Sequence, residues 1–106
     1  MTAKLVRDGK VAVLISPGFG AGWYTWINEP WALYDPVIVQ MLELGLPDVR
    51  DKIVAYCNVT YGEDHYYGGV DDLCVVWLDE GTKFYVKEYD GSESVVRESS
   101  MKWEVA

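Results

Sequence analysis

Two Asp-Gly dipeptides, Asp8-Gly9 and Asp90-Gly91, constrain this chain more than any other feature. Each lies between short apolar runs, and a two-residue Asp-Gly link favours the type I′ turn of an antiparallel hairpin. In "KLVRDGKVAVLIS" that turn sets Val6 opposite Val11 and Leu5 opposite Ala12. It also sets Arg7 opposite Lys10, a mildly unfavourable like-charge pair. Around the second turn "KFYVKEY" alternates and "SVVRE" returns. Residues 11–15 lack polar alternation, so that strand is expected to be covered on both faces. "LCVVWL" reads as a further buried strand, turned by "DEGT". "MKWEV" alternates with Met101, Trp103 and Val105 on one face.

Helical signals fall between these strands. In "YDPVIVQMLELGLP", Asp35 suits the N-cap, Pro36 the first helical position and Gly45 the position past the end. Val37, Ile38, Met41 and Leu42 share one face. A second helix is expected in "DVRDKIVAYC", with Asp48 as N-cap and Val49, Ile53, Tyr56 and Cys57 on one stripe. Pro17 should end the preceding strand, and residues 18–34 show no helical period and read as a long ordered loop. The expectation is an α+β fold: an antiparallel sheet of about five or six strands with two short helices packed on it, in a single domain over residues 1–106.

Charge narrows the function classes. The net charge is −8, and it is uneven. Residues 1–62 hold five basic and six acidic side chains, whereas residues 63–106 hold four and eleven. Duplex nucleic acid, bound mainly through phosphate neutralisation, is disfavoured, as is an anionic membrane. The N-terminus has no long apolar stretch of the secretory type, and no apolar run approaches the ~20 residues that span a bilayer. Cys57 and Cys74 form no CxxC or Cys/His cluster, so they read as reduced, buried thiols, with no structural metal and no cofactor expected.

The segment "SPGFGAGWYTW" is the candidate site. Gly18-x-Gly20-x-Gly22 follows a strand, as phosphate-binding loops do. It lacks the lysine followed by serine or threonine of a P-loop, and the sequence shows no obvious helix start at the third glycine, as a dinucleotide fold requires. Ser16 ends a strand without the GxSxG elbow of a serine nucleophile. The rings carry more information: Phe19, Trp23, Tyr24, Trp26, Trp31 and Tyr34 place six of fifteen aromatics within sixteen residues. Flat rings stack on nucleobases at about 1–3 kcal/mol each. The same rings can instead fill a local core beneath the loop. A second loop, "TYGEDHYYGG", holds the only histidine, His65, beside Asp64. No spacing nominates a catalytic group.

The segments "VAVLISPGFGAGWYTW", "LYDPVIVQMLE" and "DEGTKFYVKEYDGSESV" give the chain a resemblance to a family of small, functionally obscure bacteriophage and prophage proteins. These combine a strand–SPGxGAGW–T-W segment with a late EYDG turn and a terminal tryptophan segment. The resemblance implies phage origin and expression in the host cytoplasm. By analogy with phage anti-defence proteins, it points to a non-enzymatic homo-oligomer, a sponge that sequesters a nucleotide-derived immune signal. In that reading the amides around Gly18, Gly20 and Gly22 hold phosphate and Trp23 or Trp26 stacks a base, with Ser16, Phe19 and Tyr24 also counted as ligand-binding. Tyr66, Tyr67 or His65 closes the site, and Arg7, Lys10 or Arg50 supplies charge. The alternatives are an acidic inhibitor that docks on a defence enzyme, a signal-degrading enzyme using Asp64 and His65 or a loop-bound metal, and a phage accessory or structural protein whose aromatic loop is a subunit interface.

Overall fold

The first hairpin forms as its turn dictates. In a computed structural model describing residues 2–98, β1 (Val6–Arg7) and β2 (Lys10–Ile15) pair antiparallel, Val6 facing Val11 and Arg7 facing Lys10. Asp8 and Gly9 take φ of 53° and 76°, as a type I′ turn requires. The Ala12 amide donates to the Leu5 carbonyl, so Leu5 holds its expected register. The like-charge pair is relieved sideways. Arg7 forks onto Glu43 at 2.6 and 3.1 Å, and Lys10 meets Asp79 at 3.3 Å.

After β2 the chain makes two short helices, α1 (Tyr24–Ile27) and α2 (Pro30–Tyr34), within the stretch expected to be loop. They are too short to show a period in sequence. α3 (Pro36–Leu44) begins and ends as its caps require: the Asp35 carboxylate accepts from the Val37 and Ile38 amides, and Gly45 closes it at φ 60°. Its buried pair is Ile38 and Val39, while Val37 faces outward, so the apolar stripe is rotated from the expected one. α4 (Val49–Tyr61) runs a turn beyond its expected end and buries Ile53 and Cys57. Asp48 precedes it in a left-handed conformation and makes no side-chain cap. A 3-10 turn (Gly68–Asp72) leads into β3 (Cys74–Asp79), and β4 (Phe84–Tyr89) and β5 (Ser92–Arg97) form the last hairpin about Asp90-Gly91, at φ 50° and 86°.

The strands form two sheets, not one: β1-β2-β3 and β4-β5. Alternation along β2 and β3 explains the division. One face, Ala12 and Leu14 with Val75 and Trp77, packs with Ile38, Val39, Ile53 and Cys57 of the helices. The other face, Val13 and Ile15 with Val76 and Leu78, is equally apolar and needs its own cover. The β4-β5 hairpin supplies it, laying Phe84, Val86 and Val95 across that face together with Leu33 of α2. β2 is therefore covered on both sides, as expected. β3 is only partly buried because it is the outer strand of its sheet. The expected strand at "MKWEV" lies outside the described residues. Among the described residues, no helix is long and apolar enough to cross a membrane.

Candidate functional site

The glycine–tryptophan loop is latched from below by one side chain. Glu93 of β5 is 1% exposed. Its carboxylate accepts the Ser16 amide at 2.8 Å, the Thr25 amide at 2.7 Å and the Thr25 hydroxyl at 2.6 Å. The Glu93 amide in turn donates to the Ser16 carbonyl. Thr25 lies in the first turn of α1, whose opening amides have no partner within the helix, so Glu93 caps that helix from a distant strand. The end of β2, the start of α1 and β5 are thereby held on one carboxylate.

Glycines let the loop lie close to its neighbours. A β-carbon at Gly91 would stand 2.4 Å from the Ala21 nitrogen, and one at Gly69 would stand 2.3 Å from the Gly22 carbonyl oxygen. Real contacts are never that short, so backbone passes against backbone at both places. The Gly20 amide is already used, donating to the Asp90 carbonyl at 2.8 Å. Gly18 faces the Asp72 carboxylate. The Gly18–Gly22 stretch is thus packed against acidic and backbone groups.

The nominated rings divide into two sets. Trp23 is fully buried, its Nε1 donating to the Ala32 carbonyl at 2.7 Å. Tyr67 is buried beside it, with its hydroxyl on the Gly62 carbonyl. Both belong to the core. Ser16 is buried with its hydroxyl toward Ala21. Tyr24 lines a shallow cleft with Leu33, Tyr34 and Phe84. His65 packs edge-on against Trp31, which stacks flat on Tyr61 at 3.7 Å.

Trp26 and Tyr66 behave differently. They come from two separate segments, Trp26 from α1 and Tyr66 from the loop after α4, and meet at 5.6 Å with planes inclined at 37°. They remain 44% and 58% exposed. Each lies over a glycine: a β-carbon at Gly22 would strike the Trp26 ring, and one at Gly68 would strike the Tyr66 ring. The Trp26 Nε1 donates to Glu88 at 3.2 Å, and the same Glu88 oxygen accepts the Gly91 amide at 2.8 Å. These donors, the Gly91 amide first, hold the Glu88 carboxyl below the usual carboxylate range. Phe19 is 72% exposed beside Gly20, whose amide is tied to the turn that follows Tyr89. The result is a surface of open rings beside an ionised carboxylate. The candidate cations lie elsewhere: Arg7 and Lys10 are paired as above, and Arg50 donates to the Asp71 carbonyl.

Sequence reasoning missed Glu93 and Glu88, which stand in alternating strands with no local signal. It also saw only the capping role of Asp35. That carboxylate is buried and accepts the Tyr56 hydroxyl at 2.8 Å and the Tyr61 hydroxyl as well. Burial first, then the Asp35 hydrogen bond, pushes both phenols above their ordinary range. An unfolded tyrosine ionises near pH 10, so the unfolded chain loses these protons first. Their contribution to stability is full below about pH 10 and is lost as pH rises through the folded values. Urea midpoints should therefore hold steady through neutral pH and fall above about pH 10, with phenolate absorbance from this pair appearing together with unfolding. An unchanged midpoint through the alkaline titration would contradict the assignment. Burial likewise raises the Cys57 thiol to about 12, leaving it inert as a nucleophile.

No family model, curated protein or solved structure matches this chain.

Proposed function

We propose that this chain is a non-catalytic binding protein that docks through Trp26 and Tyr66 on a basic surface of a partner protein. The observation that carries the reading is the meeting of these two exposed rings beside ionised Glu88. Exposed tryptophan and tyrosine are the residues that most often dominate interface energies. The acidic second half of the chain adds long-range attraction toward a cationic partner. With the resemblance to small phage proteins, the partner is a host defence enzyme whose basic site the protein occupies. Affinity capture from a bacterial host lysate tests this. The wild-type chain should retain a defined protein at low salt and lose it at about half-molar salt, where charges are screened within a few ångströms. A Trp26→Leu/Tyr66→Leu chain should bind it at least ~30-fold more weakly, the effect of losing a residue worth about 2 kcal/mol. Equal retention by the variant would overturn the reading.

A second reading, sequestration of a nucleotide-derived signal by a homo-oligomer, is favoured by the same convergence of Trp26 and Tyr66 as a stacking platform. Against it, Glu88 repels phosphate at the rings and the Gly20 amide is engaged. Calorimetry against cyclic dinucleotides and ADP-ribose derivatives separates the two. Sub-micromolar binding that Trp26→Leu abolishes would put this reading first.

A further inference from the structure

Resting on the partner-docking reading, we infer that the pair Trp26–Tyr66 with Glu88 is a receptor for one arginine side chain of a basic protein segment. The chemistry is set by three facts. First, the two rings meet at 5.6 Å and stay 44% and 58% exposed, and aromatic rings attract cations within about 6 Å of the ring centre. Second, the Glu88 Oε2 atom takes both of the carboxylate's donors, Trp26 Nε1 and the Gly91 amide. Among the described residues, Oε1 takes none, so it is open to an incoming N–H. Third, Lys87 does not compete: along β4 it alternates with Glu88 and points to the other face of the hairpin.

Arginine fits better than lysine. A guanidinium is planar, so it lies flat on an indole, and its N–H groups diverge in the plane toward a carboxylate beside the ring. Its weaker hydration makes the transfer onto apolar rings less costly than for an ammonium. A nucleotide would bring phosphate to a site whose fixed charge is negative. The acids next to the patch in sequence, Asp90, Glu63 and Asp64, extend the same complementarity to further basic residues of the segment.

Two-dimensional NMR of the full chain, following the indole N–H resonances, tests this with two peptides of equal charge, one alternating arginine with glycine and one lysine with glycine. The arginine peptide should shift the Trp26 indole resonance and bind about ten-fold more tightly than the lysine peptide. Glu88→Gln should reduce that affinity about ten-fold, and Trp26→Leu should abolish it, with Tyr66→Leu as a second ring variant should the first fail to fold. Equal binding of both peptides, or arginine binding that survives Trp26→Leu, would overturn the inference. If arginine peptide fails while lysate capture still depends on Trp26, the inference falls and partner docking stands; if both fail, both readings fall. A shift of the same resonance by GMP but not by the arginine peptide would overturn it in favour of nucleotide binding.

Discussion

Glu93→Ala should destabilise the fold by about 3–5 kcal/mol, the cost of leaving several buried donors without an acceptor. The substitution removes the acceptor for the Ser16 amide, the Thr25 amide and the Thr25 hydroxyl together. Each buried donor left without a partner costs about 1–3 kcal/mol, and partial relaxation toward water keeps the sum below full additivity. A small domain has only about 5–15 kcal/mol in total, so much of its stability rests on this one side chain. Glu93→Gln should cost less, about 1–3 kcal/mol, because one amide N–H must then confront a donor. Urea unfolding followed by tryptophan fluorescence measures both. A loss under about 1 kcal/mol for the alanine variant would show that the carboxylate does not latch the loop.

Two tryptophans three residues apart should respond in opposite ways. Trp23→Ala is expected to cost about 3–5 kcal/mol, as for other large-to-small changes of a buried aromatic. The ring is fully enclosed, meets Trp31 edge-on at 6.5 Å and Tyr67 at 6.0 Å, and its Nε1 satisfies the Ala32 carbonyl. Trp26→Ala should change stability by less than about 1 kcal/mol, because its ring is already half in water. Its effect should fall on partner capture instead. Thermal unfolding and the capture assay, run on the same two variants, separate the roles. If Trp26→Ala destabilises as much as Trp23→Ala, the exposed ring is a core element and the docking reading loses its anchor.

The contrast explains which parts of the molecule were legible from sequence. Turns and caps were, because they are local: Asp8-Gly9, Asp90-Gly91, Asp35 and Gly45 each act within a few residues of themselves. The register of the first hairpin followed from its turn alone. The division into two sheets was not legible, since alternation says that β2 has two apolar faces but not what covers each. Nor was the sorting of the rings. Trp23 and Trp26 sit in one short segment, and only the distant Ala32, Glu88 and Tyr66 decide which is core and which is surface. Glu93 gave no sign at all, because its donors lie far upstream.

That distance has a consequence for any attempt to reuse the loop. Glu93 holds Ser16 across 77 positions of sequence, and Trp26 meets Tyr66 and Glu88, which come from two further segments. A peptide copied from residues 16–27, or the same stretch grafted into another scaffold, would carry Trp26 without Tyr66, Glu88 or the Glu93 latch that complete the face. The face is a property of the whole chain's topology and is not portable as a linear motif.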